Sequence, residues 1–359
     1  MAENKLAQRQ YHLDYLRVFA SIAIIFLHVV AQDWNNFEVT STAWYFYNMC
    51  NGATRWGVPV FVMISGALFL PREIPVKTLY KKYISHLATT YIVWTLFYAI
   101  AVPIVNMIFK EGYHITFVEF ISVFITGAYH LWFLPMIIGL YMCIPLIKQL
   151  IKNDNLIKYF LLLSIIFCFI KTQIDLVTNN LLISNVQIIF ENVTTVFKNF
   201  NVSLVVGYVS YFILGFYLNK TEISKKLRTI IYILGFAGLV LTIILNLFAA
   251  KNAGRPSVEF YDSFSLNVFL MSVAIFIWFK YNAKGAERLN KIILSLSKYS
   301  FGAYLVHVFI IQSLTAVGFS SETFHPIFSV PSTLIFTTVV SYLISLVLNK
   351  IPIIKKYMV

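Results

Sequence analysis

The stretch DYLRVFASIAIIFLHVVAQ, residues 14–32, is apolar and unbroken, yet it carries Asp14, Arg17, Ser21, His28 and Gln32. At 1.5 Å per residue it reaches roughly 28 Å as a helix, close to the ~30 Å hydrocarbon core of a bilayer. At about 100° per residue, Asp14, Ser21, His28 and Gln32 all fall within roughly 60° of Arg17. One face is therefore polar from end to end. An arginine within a membrane helix costs roughly 2.5–3.5 kcal/mol on insertion scales, so it normally faces a partner or a cavity. Lys5 and Arg9 ahead of an apolar run imitate a signal peptide. Arg17 inside the run and the many similar segments that follow mark it instead as the first of a series of membrane helices.

The rest of the chain agrees. Its 359 residues are 59% hydrophobic, 17% aromatic and only 12% charged, where soluble domains carry about 25% charged and 45–50% apolar residues. A soluble globular protein is excluded, and the expected fold is an all-α integral membrane protein forming one polytopic domain over residues 1–359. Ten candidate spans fall near 14–32, 53–71, 83–109, 131–149, 156–172, 204–218, 228–249, 263–281, 299–318 and 330–350. Segment 115–128 is too short to cross and is expected in the outer interface. Residues 186–200 repeat apolar side chains at helical spacing, which predicts an amphipathic helix at the outer surface.

With both termini placed in the cytoplasm, 21 of the 28 basic residues fall on cytoplasmic segments and five, Lys110, Lys171, Lys198, Lys251 and Arg255, on external ones. That asymmetry is the positive-inside pattern, so the net charge of +13 needs no nucleic-acid partner. Two basic residues remain, Arg17 and Arg55, both within apolar spans.

The step of eleven residues from Arg17 to His28 climbs about 16 Å while turning only ~20° off whole turns. Two chemical groups at different depths thus share one face, and a long ligand with an anionic head entering from the cytoplasm could meet both. The plainer alternatives are an arginine snorkelling to the surface and a core histidine bonded to a neighbouring helix. Arg55 opens the second span in Arg55-Trp-Gly-Val-Pro59. Pro59 is expected to kink that helix, and Gly66, eleven residues past Arg55, to permit close approach of another helix or passage of a ligand.

Ser300, Tyr304 and His307 share a face of the ninth span, suited either to chemistry or to interhelical hydrogen bonding. His130 and Trp132, at the outer mouth of the fourth span, suit an acceptor site or, as the plainer reading, the aromatic belt. His86, Lys81 and Lys82 near the cytoplasm could hold phosphates, although a positive-inside loop explains the lysines equally well.

Cys50, Cys143 and Cys168 form no CxxC pair and no zinc-like spacing with histidine, so neither a disulfide framework nor a metal site is expected. The chain has no Walker loop and no GxGxxG. No acidic residue lies deep in a span, which weakens an ion-coupled transporter. A transporter or flippase of a lipid-linked or acylated saccharide remains the alternative to an enzyme. It would use the arginines but has no special need of His28.

Asp14-Tyr-Leu-Arg17 with His28 ten residues further on, Arg55-Trp-Gly-Val-Pro59-Val-Phe with Ser65-Gly66, His130-Leu-Trp-Phe-Leu-Pro135, and Tyr299-Ser-Phe-Gly302-Ala-Tyr304-Leu-Val-His307 together resemble membrane acyltransferase family 3 over almost the whole chain. The resemblance implies a ten-helix bacterial enzyme of the inner membrane that moves acetyl or other acyl groups from cytoplasmic acyl-CoA onto surface or exported glycans. It places the family's Arg-x10-His pair on Arg17 and His28 and its second arginine on Arg55. With no extracytoplasmic hydrolase-like domain in these residues, the chain is most similar to the stand-alone O-acetyltransferases. The expected roles are then His28 and Arg55 in catalysis, and Arg17, Lys81, Lys82 and His86 toward the phosphates of acetyl-CoA. Asp14, Ser21, Ser65, His130, Trp132, Tyr304 and His307 are expected in support. Donor and glycan acceptor are substrates, no bound cofactor or metal is expected, and the oligomeric state is not readable from the residues.

Overall fold

The computed structural model describes residues 10–109, 112–182, 184–283, 285 and 287–357. Lys5, Arg9, Lys110 and Lys284, four of the charges counted above, lie outside the described residues. The described chain is helical with no strand, as a chain must be that satisfies its backbone inside lipid without closing a barrel. Among the described residues, nine helical stretches are long and apolar enough to cross a membrane.

The helices are α1 (Tyr11–Asp33), α2 (Thr42–Gly52), α3 (Gly57–Phe69), α4 (Ser85–Phe109), α5 (Phe117–Thr126), α6 (Phe133–Leu150), α7 (Asp154–Ser164), α8 (Lys171–Leu181) and α9 (Ser184–Asn199). They continue with α10 (Tyr208–Lys220), α11 (Lys225–Ala253), α12 (Leu266–Asn282), α13 (Glu287–Ala316), α14 (Pro326–Lys350) and α15 (Pro352–Tyr357). A π-helical stretch at Leu79–Ile84 leads into α4, and another at Ile165–Ile170 joins α7 to α8. The chain groups into two compact units. One holds Met1–Ile24, Glu38–Pro71 and Leu150–Lys298, and the other Ile25–Phe37, Arg72–Gln149 and Tyr299–Val359.

In the first unit, α3 and α10 touch backbone to backbone. A Cβ built on Gly66 would run into the Phe212 carbonyl, and one on Gly215 into the Met63 carbonyl, so the close approach expected at Gly66 is met by a reciprocal glycine. Small residues of this kind let membrane helices interlock where no hydrophobic force drives them together. Between α11 and α12, Gly235 faces Ala274 in the same way. Helix α11 starts on Ser224, whose hydroxyl accepts from Leu227 N, and ends on Gly254 in the left-handed conformation at φ 63°, both common ways of satisfying helix ends.

Two expectations are corrected in this unit. The second span is not one helix kinked at Pro59. Residues Thr42–Phe69 break between α2 and α3, and Pro59 sits in the first turn of α3, where its missing N–H has no intrahelical acceptor to lose. Arg55 therefore lies in the break. The span expected near 204–218 is the 13-residue α10, about 20 Å long and shorter than a bilayer core. Just before its start, Gly207 N donates to Cys168 Sγ at 3.5 Å, midway along the α7–α8 span, and at its end Lys220 pairs with Asp154 at 2.7 Å. The non-helical residues leading into α10 thus run at the depth of Cys168, where such backbone is tolerated only when protein covers it. Val205 and Ser210 are buried there, and the Ser210 hydroxyl donates to the Val205 carbonyl at 2.8 Å.

In the second unit, Ile25, Val29 and Ile311 form a buried apolar knot with Leu334 packed against it. The end of α1 is tied down by Asp33, whose carboxylate accepts from Ser321 N at 3.0 Å and Ser321 Oγ at 2.6 Å. Helix α5 is the short segment expected not to cross. It opens with a capping box in which Thr116 and Glu119 satisfy each other's backbone N–H. Along α14, Ser329, Thr333, Thr337, Ser341 and Ser345 recur every fourth residue and are all buried, giving that helix a hydroxyl seam.

Candidate active site

The polar stripe of α1 faces α13, and the contacts climb both helices in the same direction. Asp14 accepts from Ser297 Oγ at 2.7 Å, His28 meets His307, and Gln32 donates to Thr315. The 3.6-residue periodicity that put these α1 residues on one face thus predicts the contacts made.

His28 is half-buried and His307 wholly buried. Their rings stack at a centroid distance of 4.9 Å and an angle of 27°, with His28 Nδ1 2.8 Å from His307 Nε2. His307 Nδ1 lies 2.6 Å from the Tyr304 carbonyl oxygen. A carbonyl can only accept, so His307 Nδ1 carries the hydrogen, and in the neutral ring Nε2 is the acceptor. His28 Nδ1–H must then donate to it, which leaves His28 Nε2 as the nitrogen bearing the lone pair. The Tyr304 carbonyl, through His307, sets the tautomer of His28. A carboxylate or carbonyl behind a histidine commonly has this role.

His130 completes the cluster. It is 1% exposed and stands edge-on to both other imidazoles, at 6.3 Å from His28 and 5.1 Å from His307. The belt reading thus fails for His130, whereas its neighbour Trp132 is 44% exposed. The Tyr304 hydroxyl holds His130 by donating to its carbonyl at 2.5 Å. Tyr98 packs against its ring at 5.1 Å and donates to the Leu305 carbonyl at 2.8 Å. Burial first, then neighbouring His307 and His28, push His130 well below the usual imidazole range. Tyr129 covers His28 edge-on at 5.3 Å. Neither Tyr98 nor Tyr129 was singled out from the sequence, because tyrosines are abundant here and nothing local marks these two.

Arg55 belongs to the first unit and is held by a polar network of its own. Its guanidinium donates through Nη2 to Asn51 Oδ1 and lies 4.3 Å above the Tyr261 ring. The Tyr261 hydroxyl donates to the Asn48 carbonyl at 3.1 Å, and Asn246 Nδ2 donates to Asn48 Oδ1 at 3.0 Å and to the Ser257 carbonyl at 2.8 Å. The Arg55 Nε is buried with no hydrogen-bond partner among the described residues. Asn48, Asn51 and Arg55 follow one another at i, i+3 and i+7, a legible polar face that the sequence reading passed over. A cavity of about 320 Å³ opens against Arg55, walled by Tyr208, Tyr261, Ser263 and Phe264 and rimmed by Glu259 and Asp262.

Arg17 is half-buried on α1, and Ser21, one turn further along, is buried with no partner for its hydroxyl among the described residues. Ser65 donates back to the Phe61 carbonyl at 3.0 Å and is satisfied within α3. Lys81 and Lys82 are exposed on the π-helical stretch, with His86 half-buried at the start of α4. Among the described residues, no group of three or more His, Cys, Asp or Glu could hold a metal ion.

Residues 10–347 match a family model described as an acyltransferase domain, nearly the whole chain. The chain belongs to membrane acyltransferase family 3. Comparison with curated proteins and with solved structures gives no significant match. A histidine of fixed tautomer is one kind of group that can take a proton from an attacking hydroxyl. The cluster around His28 is thus chemically suited to the family's reaction.

Proposed function

We propose that this membrane acyltransferase is an O-acyltransferase that moves a short acyl group, acetyl in the simplest case, from cytoplasmic acyl-CoA to a hydroxyl of a cell-surface or exported glycan. We place it in a bacterial inner membrane. The observation that carries the reading is the chain from the Tyr304 carbonyl through His307 to His28 Nδ1, which makes His28 Nε2 a base. The sugar O–H proton passes to Nε2 as the oxygen attacks the thioester carbonyl. The C–S bond then breaks, and the CoA thiolate takes the proton from His28. The same lone pair serves a two-step route, in which Nε2 attacks the thioester and releases the thiolate, and the sugar oxygen then takes the acyl group from the imidazole as its proton passes to the thiolate.

The donor's phosphates are assigned by charge to Arg17 and to Lys81, Lys82 and His86. Arg55 is assigned to the acceptor, because its guanidinium is pre-aimed by Asn51 and Tyr261 and lines a cavity. Membranes containing the protein, incubated with labelled acetyl-CoA and the host's glycan, should label the glycan. Movement of sugar across the membrane with no label transferred would support the transporter reading instead.

A further inference from the structure

We infer that the cavity against Arg55 is a recognition site for one neutral sugar ring, an inference that rests on the O-acyltransferase reading and adds a specificity site to it. The cavity of about 320 Å³ lies at the lower end of small-molecule sites, a size for a single ring with its substituents rather than for an extended chain.

Its lining is mixed in a way that discriminates between ligands. At the buried end stands the Arg55 guanidinium. At the exposed rim stand the carboxylates of Glu259 and Asp262. One Asp262 oxygen is engaged, accepting from Phe264 N at 2.6 Å. Between floor and rim lie Phe264 and Tyr208, whose rings pack at 4.8 Å, with the Tyr208 hydroxyl 3.2 Å from Ser263 Oγ. A phosphate or other anion would meet Arg55 favourably, but it would pass two carboxylates and share the cavity with them, and like charges at such range oppose binding. A neutral polyhydroxyl ring meets no such conflict. Its hydroxyls accept from Arg55 and donate to the carboxylates, charge-assisted bonds about twice as strong as neutral ones, while its apolar face lies against the aromatic wall.

The site is also rigid. Tyr261 is fixed through Asn48, and Asn267 Nδ2 donates to the Phe260 carbonyl at 2.9 Å. The segment carrying Glu259 and Asp262 is therefore anchored on both α2 and α12, and pre-organisation lowers the entropy lost on binding.

The test uses the full-length protein in detergent micelles and saturation-transfer NMR with the methyl glycosides of glucose, galactose, rhamnose and N-acetylglucosamine. At least one glycoside should receive saturation at its ring protons, with binding roughly tenfold weaker in Asp262→Asn and in Phe264→Leu. Inorganic phosphate should not displace it. Asp262 is exposed, so its variant tests the site even if Phe264→Leu fails to fold. Absence of transfer to every glycoside, equal signals in wild type and Asp262→Asn, or displacement by phosphate would each overturn the assignment. Glycoside binding without acyl transfer would sink the proposed function alone, and acyl transfer without glycoside binding would sink the sugar site alone.

Discussion

His28 Nδ1 and His307 Nε2 lie 2.8 Å apart, and the second ring is itself fixed by the Tyr304 carbonyl at 2.6 Å. Because the carbonyl has no proton to give, the direction of both hydrogen bonds is settled, and with it the nitrogen of His28 that can act as a base. Under the proposed function, His307 is a positioning residue. Replacing it with alanine should lower kcat by roughly 10- to 100-fold, the usual effect of removing the group behind a functional histidine, with little change in KM for the donor. Gln, which can still present an acceptor to His28, should recover part of the loss. Equal losses of kcat in both variants, or a loss seen only in KM, would contradict the relay.

The burial of His130 among these rings also sets a pH dependence. His130 is held well below the usual imidazole range by burial and by His307 and His28, so it stays neutral at pH 7. Its folded pKa lies below its unfolded value, so the stability it contributes is present above the unfolded pKa and is lost as pH falls through the folded one. Thermal stability measured in detergent from pH 8 downward should decline toward acid. His130→Gln should flatten that curve, and an unchanged curve in the variant would contradict the assignment.

Arg55 should not tolerate lysine. A lysine keeps the charge but loses the planar fork on Asn51 and the stacking over Tyr261. Arg55→Lys is expected to raise KM for the glycan by about tenfold, roughly 1.4 kcal/mol at kcat/KM, with KM for acyl-CoA unchanged. A selective rise in KM for acyl-CoA would place Arg55 at the donor instead.

The α3–α10 contact yields a stability prediction. At Gly66 and Gly215 an added methyl group would collide with the carbonyl of the facing helix, so Gly66→Ala should cost more than the ~1–3 kcal/mol of ordinary overpacking and reduce folded protein in the membrane. Gly254, in left-handed geometry with open space around it, should cost only about 1 kcal/mol when changed to alanine. Thermal inactivation of the two variants in detergent separates the cases.

Much of this arrangement is legible in the residues, and what is not has physical reasons. The α1 stripe could be read because helical period alone puts Asp14, Arg17, His28 and Gln32 on one face. The break between α2 and α3 could not, because it is held by local polar bonds within an apolar run, with Thr54 Oγ1 on the Asn51 carbonyl at 2.9 Å and Trp56 Nε1 on the Ala53 carbonyl at 2.8 Å. The shortness of α10 was hidden because the residues before it are as apolar as a helix would be. His130 read as an interfacial residue because its neighbours are aromatic. Its burial depends on Tyr304, which is 174 positions away in the chain. The Arg55 cavity is assembled from the break between α2 and α3, the start of α10 and the segment before α12, which no window of sequence brings together.

The central claim is that the His28 imidazole carries out the acyl transfer. It is tested most directly by measuring transfer from labelled acetyl-CoA to the glycan with wild type and with His28→Ala present at equal folded levels in the membrane. The variant is predicted to lose at least roughly 10²-fold in rate, the lower end of what a positioned general base contributes. Transfer by folded His28→Ala at the wild-type rate would contradict it.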